Sequence, residues 1–305
     1  MPAPQHTLSG VWLQLLLLAT IWGGSFAANR LALAEVGVFS VVAFRVTGGM
    51  LVLWAYVLAR GYEVPKDVRT WASFLVLGLL NNALPFSLIV WGQRHIDSGL
   101  ASIINASTAI FGVAVAALVF RDEPLTLRRS IGVGLGFAGV VTAIGFGALA
   151  KLDLTSLAQL AVLASSASYA CAAAFGRARL GGVAPQVIAA AMLTSASVLM
   201  VPLALVTDGF PRLNYSLPTW GALAYLAVMS AAVAYLLYYR VLAVAGAGNL
   251  SLVTLLVAPV AILLGALQFG EVLAPRAFGG FALLALGLVV IDGRLVALWR
   301  PKPAG

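Results

Sequence analysis

The sequence predicts an all-α membrane protein: ten transmembrane helices arranged as two inverted five-helix repeats. Three observations predict it. The composition is too apolar for water, ten apolar stretches have the length needed to cross a bilayer, and an internal self-similarity divides those stretches five and five.

Of the 305 residues, 62% are hydrophobic and 9% charged, where a soluble domain carries about 25% charge. A chain of this size folded in water could not cover its surface with so few charges. The net charge of +8 is spread over short loops rather than gathered in a patch, which argues for the lipid bilayer as partner and against nucleic acid. A single cysteine, Cys171, excludes an internal disulfide and a CxxC metal site, and no cofactor is expected.

A hydrocarbon core about 30 Å thick takes about 20 helical residues to cross. Apolar stretches of that length fall near 8–28, 39–59, 71–91, 98–119, 130–149, 155–176, 184–206, 217–239, 249–269 and 275–297, leaving no room for a soluble domain. The first lacks a basic lead-in and is too long for a signal-peptide core, so it reads as a mature helix. Twelve Lys and Arg fall on the side of the N-terminus and five on the other, with Arg45 inside a span, so both termini are expected in the cytoplasm.

Glu123, Leu125, Gly132, Leu135 and Gly139 recur 148 positions later as Glu271, Leu273, Gly280, Leu283 and Gly287. Trp22, Arg30 and Thr47 meet Tyr169, Arg177 and Thr194 at an offset of 147, and Thr70-Trp71 meets Thr219-Trp220 at 149. The two units are residues 1–150 and 151–305. Each holds five spans, so the second must enter the membrane from the opposite face, which makes the repeat inverted and suits alternating access.

The segment Trp22-Gly23-Gly24-Ser25-Phe26, the pair Phe44-Arg45, and the order Gly99, Glu123, Gly132, Gly139 with its second copy resemble the EamA-type carriers of the drug/metabolite transporter superfamily. Within that family the chain looks most like bacterial exporters of aromatic and other amino acids. The resemblance implies residence in the bacterial inner membrane and a central cavity. Spans 1, 3, 4, 6, 8 and 9 would surround that cavity, with 2, 5, 7 and 10 outside.

Polar side chains inside lipid are costly and mark candidate binding positions. Span 3 offers Asn81, Asn82 and Pro85, whose missing N–H frees a mid-membrane carbonyl for a substrate ammonium or leaves a plain kink. Span 4 offers Asn105 and Thr108 on one face with Ser102, either lining or glue between helices. Spans 1 and 6 contribute Trp22 with Ser25 and Ser165 with Tyr169, an aromatic and hydroxyl mixture that suits a neutral amino acid; small-residue packing is the competing account for the serines. Span 8 adds Ser230, Tyr235, Tyr238 and Tyr239, and span 9 adds Ser251, Thr254 and Pro259. Trp91 and Tyr239, 148 apart, are candidate gates at opposite mouths or belt residues, the role expected of Trp12, Trp54, Trp71, Trp220 and Trp299.

Arg45 is expected to snorkel to the outer surface in a structural role, with a counter-charge for a substrate carboxylate as its second reading. All ten acidic residues and both histidines, His6 and His95, fall in loops or at span ends, which favours facilitated diffusion over tight proton coupling. Gly134, Gly136 and Gly139 spell GxGxxG, but no strand precedes them, so helix packing rather than nucleotide binding is expected. A membrane hydrolase lacks a paired nucleophile and base in the bilayer, and a pore lacks a continuous polar lining. What remains is a carrier of small molecules, not an enzyme, with amino acids as cargo and lipophilic drugs or cations as the alternative. Fusion of both halves makes a monomer sufficient.

Overall fold

The computed structural model describes residues 8–120, 126–145, 153–212 and 214–292. Expectations that rest on His6, Arg121, Asp122, Glu123, Lys151, Arg294, Trp299, Arg300 and Lys302, and on the side chain of Ser251, lie outside the described residues. Among the described residues the structure is all-helical. The helices are α1 (Leu8–Ala32), α2 (Val38–Ala59), α3 (Val68–Gly92), α4 (Ser98–Val119), α5 (Leu127–Ile144), α6 (Leu154–Arg179), α7 (Pro185–Thr207), α8 (Leu217–Leu242), α9 (Val253–Phe269) and α10 (Pro275–Asp292). Eight contain an apolar span long enough to cross a bilayer, and α9 and α10 are shorter apolar helices.

The helix starts are set by local chemistry. Asp67 caps α3 by accepting from Thr70 N at 2.8 Å, and Ser216, 149 positions on, caps α8 through Thr219 N at 3.4 Å. Each satisfies an amide that the first turn leaves without a partner. Loops then cross-brace the bundle. Asp208 accepts from Ser40 N at 2.7 Å in the first turn of α2. Glu35 accepts from Ser216 N at 2.9 Å, from Thr219 Oγ1 at 2.8 Å and from Ser216 Oγ, at the start of α8. Those donors hold the Glu35 carboxyl below its ordinary pKa.

Helix packing follows the glycines. A Cβ at Gly139 would lie 2.6 Å from the Gly280 carbonyl oxygen, and one at Gly132 would lie 2.7 Å from that of Gly287. As residue number rises along α5 it falls along α10, so the two backbones run antiparallel in direct contact. Gly136 abuts Ile110 of α4, whereas Gly134 faces nothing within 4 Å. The GxGxxG run is therefore a packing seam on a helix and not a phosphate loop.

One junction between spans is helical rather than a loop. The stretches near 217–239 and 249–269 are separate apolar spans, Leu217–Leu242 and Val253–Phe269, but helical backbone links them from Ala234 to Phe269, because residues 241–247 are apolar with no proline to break the ladder. A straight helix of those 36 residues would reach about 54 Å. Trp22 bonds Ser230 while its neighbour Gly23 abuts Val260, so the chain turns back on itself between those two contacts.

Candidate functional site: a polar network between five helices

Two segments of π-helix, Leu79–Ala83 in α3 and Tyr225–Val233 in α8, sit at matching places in the two repeats. In α3 the cause is legible: Pro85 has no N–H to give the Asn81 carbonyl, so the ladder slips just upstream. In α8 no proline accompanies the π segment, and nothing in the sequence signals it. A widened turn loosens the backbone carbonyls, and both segments spend one on a neighbouring helix. Ser168 Oγ of α6 donates to the Leu80 carbonyl at 2.7 Å, and Trp22 Nε1 of α1 donates to the Ser230 carbonyl at 3.3 Å.

The polar side chains converge on these segments. Tyr235 donates its hydroxyl to Asn82 Oδ1 at 2.8 Å and accepts from Asn81 Nδ2 at 3.0 Å. Asn82 is fully buried and its Nδ2 has no partner. Arg45 of α2 donates from Nη2 to Ser230 Oγ at 2.9 Å, with its Cζ 3.8 Å from the centroid of Phe86. Phe86 packs edge-on against Tyr169 at 6.4 Å. Trp22 meets Tyr238 at 5.7 Å, and Tyr238 meets Tyr239 at 5.2 Å. Trp22, Asn81, Asn82, Pro85, Tyr169, Ser230, Tyr235 and Tyr239 thus belong to one neighbourhood built by α1, α3, α6 and α8, with α2 as a fifth contributor.

Other expected residues are placed differently. Ser25 donates to the Trp22 carbonyl and Ser165 to the Val162 carbonyl, each at 2.6 Å, so both hydroxyls are used within their own helices. Thr108 Oγ1 donates to the Asn105 carbonyl at 2.7 Å, where α4 is interrupted at Ala106–Ser107. Asn105 Oδ1 is buried without a partner. Trp91 packs against His95 at 5.1 Å, and no ring contact joins it to the Trp22 group. Thr254 is partly buried and has an interaction of its own. Among the tryptophans expected at the interface, Trp12 is 48% exposed, but Trp54 donates to Thr194 Oγ1 at 2.8 Å and so serves the contact of α2 with α7.

Arg45 requires a correction. The expected snorkelling does not occur: the residue is 6% exposed and turned inward, so α2 is not merely an outer helix. Its signal was plain, since it is a charge well inside an apolar span. Tyr225, whose hydroxyl donates to the Ile21 carbonyl at 2.9 Å, was missed because aromatic residues abound in such spans. The buried pair Asn29 and Gln93, bonded at 2.9 Å, was missed because the partners lie far apart in sequence.

At the end of the bundle where α1 and α9 finish, Arg30 lies 3.4 Å from Glu271 and 3.9 Å from Asp97, with Phe269 at 5.7 Å. Burial first, and Glu271 second, push the Asp97 carboxyl above its ordinary pKa against the pull of Arg30. At the opposite end Arg177, the repeat mate of Arg30, stacks over Phe120 at 4.2 Å. Among the described residues no His, Cys, Asp or Glu cluster could hold a metal.

The comparisons with known proteins agree with this architecture. A solved crystal structure, 18% identical, matches with a TM-score of 0.67 over 94% of this chain and 98% of its own, which shows the fold alone. The chain is 23% identical to an uncharacterized transporter of Archaeoglobus fulgidus over 92% of this chain and 98% of that one. It is 24% identical to the uncharacterized transporter YvbV of Bacillus subtilis (92% and 90%). It is 25% identical to a probable terminal-alkyne amino-acid exporter of Streptantibioticus cattleyicolor (95% and 95%). The profile of the EamA-like transporter family matches twice, over residues 9–145 and 156–292. The chain therefore belongs to the EamA-like transporter family and is a multi-span membrane transporter.

Proposed function

We propose that this chain is a secondary carrier of the bacterial inner membrane that exports amino acids, aromatic and other neutral ones, by alternating access between two inverted five-helix repeats, residues 1–150 and 151–305. Both termini face the cytoplasm, a monomer is the working unit, and the resemblance is to bacterial aromatic amino acid exporters. The observation that carries the reading is an exchange symmetry in the contacts. Gly132 meets Gly287 and Gly139 meets Gly280, where each member of one pair is the repeat mate of a member of the other. Arg30 faces Phe269 across the repeats as Arg177 faces Phe120. Contacts that trade places in this way allow two shapes of similar energy, one open to each side.

The binding neighbourhood is expected to comprise Trp22, Ser25, Asn81, Asn82, Pro85, Trp91, Asn105, Thr108, Ser165, Tyr169, Ser230, Tyr235, Tyr239 and Thr254. Rings from α1, α6 and α8 suit an apolar side chain, and the amides and loosened carbonyls suit the charged end of an amino acid. The aromatic group Trp22, Tyr238 and Tyr239 favours a second reading, export of lipophilic cations held over ring faces. Competition against one labelled neutral amino acid in proteoliposomes decides between them. Unlabelled neutral amino acids should displace the label and tetraphenylphosphonium should not; the reverse order would overturn the amino-acid reading.

A further inference from the structure

Arg45 is a buried cation whose surroundings do not complete its hydrogen bonds. It is the eighth residue of α2, about 10 Å along the helix from its outer end, and a guanidinium stays charged at any physiological pH. The inner end of α2 is farther still, so neither surface is within easy reach. The side chain turns between α3 and α8, and its Nε–H is buried with no partner. Among the described residues the ionisable groups near enough to act on it are the tyrosines Tyr169, Tyr235 and Tyr225. Among the described residues no carboxylate pairs with it; the ion pairs of Arg30 do not reach it.

Taking a cation out of water is strongly unfavourable unless an anion and further hydrogen bonds complete its surroundings. Here one hydroxyl, Ser230 Oγ, and one ring face, Phe86, stand where a counter-ion is needed. A second unsatisfied donor lies on the same wall, since Asn82 Nδ2 has no partner and Asn82 is one turn before Phe86 on α3. Two buried donors without acceptors, one of them cationic, describe half of an anion site.

We propose that Arg45 binds the carboxylate of the transported molecule, so that the cargo class is a monocarboxylate: a zwitterionic amino acid or a small organic acid of the same shape. The inference deepens the carrier reading above and rests on it for the word cargo. It also accounts for the charge balance of the site. With no acidic side chain paired to it among the described residues, a cation arriving alone meets Arg45 unshielded, whereas a carboxylate neutralises it through charge-assisted hydrogen bonds. Ser230 then has a positioning role: its carbonyl holds Trp22 and its hydroxyl holds Arg45, linking the wall for the apolar side chain to the anchor for the carboxylate.

The test uses the full-length protein in detergent and measures the shift of its melting temperature by L-phenylalanine, benzoate, phenylalaninamide and tetraphenylphosphonium. L-phenylalanine and benzoate should stabilise, while the amide and the phosphonium should not. In Arg45→Gln the half-stabilising carboxylate concentration should rise about 10- to 100-fold, the loss of a hydrogen-bonded charge pair. Arg45→Lys, which keeps the charge without the planar fork, should fall between the two and guards against a misfolded glutamine variant. Equal stabilisation by acid and amide, no stabilisation by either carboxylate, or a wild-type response in Arg45→Gln would each overturn the proposal. Counterflow on the same preparations separates this from failure of the carrier reading. Carboxylate stabilisation without counterflow rejects the carrier and leaves the anchor standing, whereas counterflow with an Arg45-independent shift rejects the anchor alone.

Discussion

Replacement of Gly139 by valine should destabilise the protein more than any exposed change on α5. A Cβ there meets the Gly280 carbonyl oxygen at 2.6 Å, the Leu284 nitrogen at 2.6 Å and the Leu284 Cα at 3.1 Å. Ordinary contact begins near 3.4 Å, so the first carbon alone asks α5 and α10 to part by nearly 1 Å, and the two methyl groups of valine ask for more. The obstacles are backbone atoms of a facing helix, which no rotamer change can move. Overpacking of this kind costs about 1–3 kcal/mol. Gly280→Val should behave alike, since its Cβ would be 2.6 Å from that of Ala143 and closer still to backbone atoms of α5. Gly134→Ala provides the contrast. It lies on the same helix within the same GxGxxG run, meets nothing within 4 Å, and should be neutral or stabilising by up to about 1 kcal/mol through helix propensity. Thermal unfolding of the purified protein in one detergent measures all three. Equal melting temperatures for Gly139→Val and Gly134→Ala would refute the packing argument.

Tyr235→Phe removes the hydroxyl that accepts from Asn81 and donates to Asn82, leaving Asn82 buried with no side-chain partner. It should cost about 1–3 kcal/mol of stability and lower transport; an unchanged melting temperature would count against the network. Glu35→Gln should weaken the brace between the loop after α1 and the start of α8. Because the folded pKa of Glu35 is depressed, its contribution is present above the ordinary glutamate value and is lost as pH falls through the depressed one. The wild type should therefore lose stability relative to the glutamine variant in acid, and parallel pH profiles of melting would contradict this. With Cys171 replaced by serine, single cysteines at Arg30 and Arg177 should react with membrane-impermeant maleimide from opposite faces. Reaction from one face would exclude the inverted repeat.

Much of the helix content was legible because lipid imposes one rule: apolar runs of a fixed length. The Asp67 and Ser216 caps, the slip before Pro85 and the glycine seam of α5 all follow from residues close in sequence. The two spans α8 and α9 were legible too, but the helical backbone that joins them was not, since apolar residues there favour helix as readily as a loop. The site divided along the same line. Asn81, Asn82, Tyr235 and Trp22 announced themselves as polar or amphipathic groups within spans. Ser25, Ser165 and Thr108 did so too, but their hydroxyls turn back onto their own helices, a choice decided by rotamer and not by sequence. The inward turn of Arg45 depended on Phe86 and Ser230, residues 41 and 185 positions away.

The central claim is that one site faces the two sides of the membrane in turn. Counterflow tests it most directly: proteoliposomes loaded with unlabelled L-phenylalanine are diluted into trace labelled phenylalanine, with no ion gradient. The account predicts a transient accumulation of label above equilibrium that saturates with external substrate. Entry that only approaches equilibrium, in linear proportion to concentration, would contradict it.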